Sequence, residues 1–377
     1  MRRCQGEAMT VPQWPFQLVA WFKRGHRPMP WRSAPTPYKV WVSEIMLQQT
    51  RVATAMPYFD RFMAAFPDVA SLAAAPLESV LLLWEGLGYY SRARNLHKAA
   101  QHMVERNDGA VPSTSAELLR LPGIGPYTAA AIASIAFGEA VPAIDGNVLR
   151  VLTRLWGIPT PVRDPVTVTT IRKRLMPMIR HVDPSAFNQG LMETGALVCL
   201  PRRPRCDACV LAEACFARRT GRTSELPAKT RPRSIPHHPV VAVAVHKHGR
   251  VLIVKQTGGR MLEGLWEFPK VRRRSRETSQ AAIGRVLKQA GVRAISRPLV
   301  AFRHSYSHFS ITVQAFRCDW ISGRLTRLPR GERQWCRVKD LAAVPMSRVS
   351  RRIGDALAGM RRSVPLRRLS TGIGLRD

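Results

Sequence analysis

The sequence predicts a multidomain protein, an all-α domain followed by a small α+β domain. Three observations carry that expectation. From about Pro12 to Ala217 apolar residues recur at spacings of three and four, the period of amphipathic helices. Beyond Pro239 the grammar changes to short β-branched runs such as Val240-Val-Ala-Val-Ala-Val245. Between them, Arg218–Pro239 is rich in Arg, Thr, Ser and Pro and reads as a linker. A length of 377 residues suits two domains, and a hydrophobic fraction of 45% can fill two cores.

Taken in order, Met1-Arg-Arg-Cys-Gln-Gly-Glu-Ala-Met9 lacks the apolar centre of a signal peptide, and Met9 offers an alternative start. No stretch has the length of a membrane-spanning helix. Short amphipathic helices are expected over Tyr38–Phe59, Leu77–Leu83, Ser91–Glu105, Thr128–Phe137 and Asn147–Leu155, with Pro and Gly between them. In the second domain, residues 240–360, Val240–Val245 and Arg250–Val254 should be strands around a His-Gly turn, with another over Ile311–Phe316. Ala281–Ala290 and Val349–Met360 carry helical patterns, and Arg361–Asp377 is a basic tail without a folding pattern.

Charge narrows the function. The 59 Lys+Arg against 25 Asp+Glu leave +34, which points to a polyanionic partner and salt-dependent affinity. The plain alternative is a solvated cationic surface from an Arg-favouring genome. Of seven cysteines, four cluster and Cys4, Cys318 and Cys336 are scattered, which excludes a secreted disulfide framework and favours a reducing cytosol.

The clustered four, Cys199, Cys206, Cys209 and Cys215, stand as C-x6-C-x2-C-x5-C around the cationic insert Leu200-Pro-Arg-Arg-Pro-Arg205. Four thiolates suit an iron–sulfur cluster or zinc. Zinc sites more often use two C-x2-C knuckles, and only Cys206 and Cys209 make one. One [4Fe–4S] cluster per chain is therefore ranked ahead of zinc, with a disulfide pair last.

Leu121-Pro-Gly-Ile-Gly-Pro126 lies between two helical patterns, Ser115–Arg120 and Thr128 onward. Gly123 and Gly125 permit a tight turn with backbone N–H groups facing outward, and the following helix N-terminus adds its dipole, so a phosphate can sit there. An ordinary interhelical turn is the alternative. The arrangement resembles the helix-hairpin-helix of DNA-repair proteins.

Val40-Trp-Val-Ser-Glu-Ile-Met-Leu-Gln-Gln-Thr50, the hairpin, Ile144-Asp-Gly-Asn147 and the four-cysteine loop occur in the order found in the helix-hairpin-helix glycosylases. Together they resemble the adenine DNA glycosylases of the MutY type, closely over about Pro12–Ala217 and loosely beyond. The resemblance implies a glycosylase domain over residues 12–217, with the cluster loop at 199–215, and a Nudix-like domain after it. It also implies base excision repair, by removal of adenine mispaired with 8-oxoguanine or guanine in duplex DNA.

The chemistry accounts for the residue types. Adenine leaves poorly unless protonated, and the cationic sugar left behind needs a nearby negative charge. By the family pattern Glu44 is the acid, beside Trp41, Ile45 and Leu47, and Asp145 is the second carboxylate that stabilises the cation. Without the motif Glu44 would be a solvated acid on a helix, and Asp145 a plain N-cap. Asn147 assists the water or Asp145. Tyr127 occupies the place where endonuclease III-like relatives carry a Schiff-base lysine, which implies a monofunctional enzyme. In Gly86-Leu-Gly-Tyr-Tyr90, Tyr89 is the expected wedge, with Leu87 near it. Gln48, Gln49 and Thr50 match the segment that touches the estranged base, and Arg32 and Glu193 line the adenine pocket.

Gly264-Leu-Trp-Glu-Phe-Pro269 resembles part of a Nudix domain, but the metal-holding glutamate positions are Arg285, Lys288 and Gln289. Those side chains do not hold magnesium, so lesion reading is expected in place of hydrolysis. Tyr306-Ser307-His308 resembles the family's 8-oxoguanine-sensing loop, with Tyr for Phe. The implied protein is a monomer of the bacterial cytoplasm, associated with the nucleoid. A sliding clamp or a downstream AP endonuclease are the partners to consider. The rival readings are an endonuclease III-like pyrimidine glycosylase/lyase and a non-catalytic metal-cluster DNA-binding protein.

Overall fold

The computed structural model describes residues 12–162, 164–228, 234–258, 261–326 and 332–359. Met9, part of the linker stretch and the tail from Arg361 lie outside them. Two compact units result. The first takes the described residues of Met1–Pro76 and Ser91–Pro232, the second those of Leu77–Tyr90 and Arg233–Asp377.

The first unit is helical: α1 (Trp14–Gly25), α2 (Pro30–Ser33), α3 (Pro37–Leu47), α4 (Val52–Ala65) and α5 (Val69–Ala74) precede a break in the unit. There the chain passes through α6 (Leu77–Leu83) of the second unit. It resumes with α7 (Ser91–Asn107), α8 (Ser115–Leu118), α9 (Pro126–Phe137), α10 (Gly146–Trp156), α11 (Pro165–Ile179), α12 (Pro184–Leu197) and α13 (Phe216–Arg219). Caps start many of these helices. Thr36, Asp68, Thr114, Asp145, Asp164 and Asp183 each accept a backbone N–H in the first turn that would otherwise lack a partner. Trp14, Leu18, Val148, Leu152, Phe187 and Leu191 form one core of this unit. In α9, Thr128 to Ser134 are all buried, so this alanine-rich helix is enclosed on every side.

The single helix expected over Tyr38–Phe59 is two. The chain leaves α3 at Gln48, and Gln49 is left-handed at φ +57°. The reason is distant in sequence: Arg92 Nη1 donates to the carbonyls of Ile45 (3.0 Å), Met46 (2.7 Å) and Gln48 (2.5 Å). It takes up acceptors that the end of a helix leaves open.

The second unit is a mixed seven-stranded sheet between two helices. Its strands are β1 (His237–Lys247), β2 (Arg250–Lys255), β3 (Trp266–Glu267), β4 (Lys270–Arg272), β5 (Val292–Ser305), β6 (Ser310–Gly323) and β7 (Arg333–Arg337). Its helices after α6 are α14 (Ser279–Ala290) and α15 (Arg348–Gly359). The order is β3-β2-β1-β6-β5, with β4 on β1 and β7 on β2; among the described strands β1 and β6 pair in parallel and the other pairs are antiparallel. Alternation along β1 explains the layers. Val241, Val243 and Val245 pack with Ile283 and Val286 of α14, while Ala242 and Ala244 share a core with Val349 and Ile353 of α15. A strand covered on both faces reads as the continuous apolar run noted above. The His248-Gly249 turn has both residues left-handed, at φ +48° and +75°, as a two-residue hairpin requires. Among the described residues no helix is long and apolar enough to cross a membrane.

Candidate active site

Glu44 lies in the last turn of α3, the helix that Thr36 caps and Pro37 opens. Asp145 is the N-cap of α10: its Oδ1 accepts the Val148 N–H at 2.7 Å, and Oδ2 accepts from Asn147 Nδ2 at 2.9 Å. Both carboxyls line one cavity of about 220 Å³, together with Tyr127, Asn147, Arg32 and Glu193. The Tyr127 hydroxyl donates to Glu44 Oε2 at 2.9 Å, so this ring serves Glu44.

Burial raises the Glu44 carboxyl to about 7. The Tyr127 hydrogen bond and the Arg32 charge oppose the rise, and the Asp145 charge adds to it. Burial also raises Asp145, but two N–H donors from Val148 and Asn147, and the Arg150 charge, pull it back. The two acids therefore face one space in different surroundings, one beside a phenol and one among N–H donors.

Opposite them a second charge group is satisfied internally. Burial would raise Glu193, yet the Arg27 hydrogen bond and the charges of Arg32 and Arg27 hold it below the usual range. Arg27 donates Nε to Oε1 at 2.6 Å and Nη2 to Oε2 at 3.1 Å; Arg32 donates Nη2 to Oε2 at 3.3 Å and Nε to Gln189 Oε1 at 2.8 Å. Arg27 and Gln189 are lining residues that sequence reasoning missed. Nothing local marks them, since each is defined by a partner far along the chain. Thr50 also lines the cavity, whereas Gln48 turns its amide to Thr128 Oγ1 at 3.0 Å.

From Asp145 a chain of contacts follows α10 to the cysteines. Arg150 Nη2 donates to Asn147 Oδ1 at 2.8 Å, and Arg150 Nε to the Cys199 carbonyl at 2.8 Å. One turn on, Arg154 Nη1 donates to Cys199 Sγ at 3.3 Å. Cys199, Cys206, Cys209 and Cys215 are free thiols lining one small cavity with Arg154. Burial pushes the Cys209 thiol up to about 11, and the charges of the other three add to the rise. Among the described residues no group of three or more His, Cys, Asp or Glu side chains is arranged to hold a metal ion. As a donor set, four soft thiols around one space suit either zinc or an iron–sulfur cluster.

The hairpin puts Gly125 at the N-cap of α9 with Pro126 after it. Gly123 is obligatory in two ways: φ is +78°, and a Cβ there would stand 2.6 Å from Asn95 Cβ.

In the second unit, Ser307 and His308 are exposed in the turn joining β5 to β6. The Tyr306 ring turns inward against Phe309 (4.6 Å) and His304 (4.5 Å), so its aromatic group is packing and not the tip of the turn. Tyr89 is 37% exposed and its hydroxyl meets Ser307 Oγ, whereas Leu87 is buried. Arg285 pairs with Glu277, Nη2 to Oε2 at 2.8 Å, and Lys288 and Gln289 face solvent.

Residues 42–177 match the HhH-GPD superfamily of base excision DNA repair proteins, and residues 240–356 match the NUDIX domain. The fold class is thus a helix-hairpin-helix repair domain followed by a Nudix-like α+β domain. A thermostable thymine-DNA glycosylase of known structure superposes with a TM-score of 0.50 at 25% identity, covering 55% of this chain and 95% of that one. Proteins called adenine DNA glycosylase are more similar in sequence. That of Buchnera aphidicola subsp. Acyrthosiphon pisum is 35% identical over 79% of this chain and 84% of its own. The Homo sapiens protein is 32% identical over 89% and 72%. The chain belongs to the adenine DNA glycosylase family.

Proposed function

We propose that this chain is a monofunctional glycosylase that hydrolyses the N-glycosidic bond of adenine mispaired with 8-oxoguanine or guanine in duplex DNA. One observation carries the reading: a buried carboxyl, Glu44, with its proton affinity raised to about 7, and a half-buried one, Asp145, face a single cavity of about 220 Å³. That space is small by the standard of ligand pockets and suits one planar base extruded from the helix. Glu44 gives its proton to adenine N7, and the Tyr127 hydroxyl keeps the carboxyl oriented. Asp145 faces the cationic C1′ carbon as the bond breaks, and Asn147 positions Asp145. Glu44, now ionised, draws the proton from the water that attacks C1′. Arg32 and Glu193 bound the base pocket, and the hairpin at Gly123 and Gly125 takes a phosphate.

Duplexes pairing adenine with 8-oxoguanine, guanine or thymine test this. Adenine is expected to be released from the first two, leaving an intact strand that breaks only on alkali treatment. Strand cleavage without alkali, or covalent trapping by borohydride, would instead signal lyase chemistry, for which Tyr127 offers no amine.

The four cysteines would hold one [4Fe–4S] cluster per chain, which when bound ties four thiolates together and fixes the cationic loop between Cys199 and Cys206. Purified protein should be brown and contain iron and sulfide. A Cys199→Ser variant should lose colour and melt at lower temperature. A colourless, zinc-containing protein would refute this assignment.

A further inference from the structure

Leu77–Tyr90 interrupts the helical sequence yet belongs to the second unit. Helix α6 lies over Gly264, which is left-handed at φ +82° and where a Cβ would stand 2.8 Å from Leu81 Cδ1. Lys255 Nζ donates to Glu78 Oε1 at 2.7 Å near the start of the segment. At its other end the chain enters a strained loop, with Gly86, Gly88 and Tyr89 at φ +101°, +74° and +49°. A left-handed tyrosine is a strained conformation that persists only where its surroundings hold it.

Glu85 supplies a hold immediately before that loop. Its carboxylate takes the Arg351 guanidinium in a fork, Nε to Oε1 and Nη2 to Oε2 at 2.8 Å. Oε2 also accepts the Met346 N–H at 3.0 Å, while the Tyr90 hydroxyl donates to the Met346 carbonyl at 3.2 Å. Residues on both sides of the left-handed Gly86–Tyr89 stretch thus grip the backbone of one residue, Met346. Arg351 spends its other N–H groups on the carbonyls of Leu341 (2.6 Å) and Val344 (2.8 Å). The strap 341–346 is tied to β3, where the Trp266 N–H donates to Pro345 at 2.9 Å. The side chains of Glu85 and Arg351 are only 15% and 20% exposed, so this fork is less screened than a surface ion pair.

We infer that Glu85 and Arg351 are a positioning pair that sets specificity: they fix the loop presenting Tyr89 in register with the turn presenting Ser307 and His308, so that both address the base opposite adenine together. This inference rests on the adenine glycosylase reading.

The test uses the full chain, with Glu85→Gln and Arg351→Gln singly and the exchange Glu85→Arg with Arg351→Glu. Single-turnover adenine release is compared on A:8-oxoguanine and A:G duplexes, alongside thermal melting. Each single variant is expected to lower the preference for 8-oxoguanine about tenfold, the scale of one charge-assisted fork, while release opposite guanine changes little. The exchange should restore part of the preference. An unchanged preference in a folded single variant overturns the inference, and so does an equal fall on both duplexes, which would mean a purely structural role. Arg351→Lys keeps the charge without the fork; it replaces a single variant that does not fold, and the same outcomes decide. Failure of the unsubstituted chain to release adenine from either duplex would count against the glycosylase reading itself.

Discussion

Replacing Glu44 by Gln is expected to abolish adenine release while duplex binding survives. The amide keeps the volume of the acid and still accepts the Tyr127 hydroxyl, but it has no proton for adenine. General acid catalysis is typically worth about 10²–10⁴-fold, so single-turnover release should fall by at least that range. A variant within tenfold of the unsubstituted rate would remove Glu44 from the mechanism. The pH dependence has a definite sign. The acid form does the work and is lost as pH rises through about 7, so release should decline there. Stability follows the same proton. Folding raises the carboxyl from 4.5 to about 7, so the native state holds a proton that the unfolded chain has released between those values. Stability from this group is full below the lower value and lost as pH rises toward the upper one. At about 1.36 kcal/mol per unit the total is on the order of 3 kcal/mol. Glu44→Gln should therefore melt above the unsubstituted chain at pH 8 and level with it at pH 4. Equal melting at both values would show that Glu44 is not buried as an acid.

Asp145→Asn should cost on the order of 10²–10³ in release, the range found when one preorganised electrostatic group is removed from a transition state. Asparagine caps helices as well as aspartate, so α10 should keep its N-terminus and the protein its melting temperature. Asp145→Ala would lose the cap as well, about 1 kcal/mol, so comparing the two separates support of the helix from support of the cation. A full rate with asparagine would leave Asp145 only the structural part. With both acids in use, the pH profile should be bell-shaped. Its acid limb is the protonation of Asp145, displaced above the ordinary 3.8 by burial.

Much of this was legible in the sequence because the relevant signals are local. Pro and Asp mark helix starts, alternating valines mark a strand, and a Gly-x-Gly turn between helices marks the hairpin. Glu44 and Asp145 were legible through motifs, not through their surroundings, and the cavity they share belongs to no local pattern. What was missed depends on distant partners. The break after α3 is set by a guanidinium from α7. β5 was not anticipated because its 14 residues include Arg293, Arg297 and Pro298 and nearly all are exposed or half-buried, so no clean alternation survives. The Leu77–Leu83 helix was expected, but not its membership of the sheet body, which depends on residues such as Lys255 and Arg351. Arg27 became visible only through Glu193.

Arg92 is nearly sequestered from water and does not itself line the cavity. By gathering four oxygens, three carbonyls and the Thr50 hydroxyl, it anchors the stem on which the proton donor is mounted, and it does so with one side chain. Inherited changes at this codon would accordingly impair repair without altering any group that handles the nucleotide, and a survey confined to the reaction centre would overlook them.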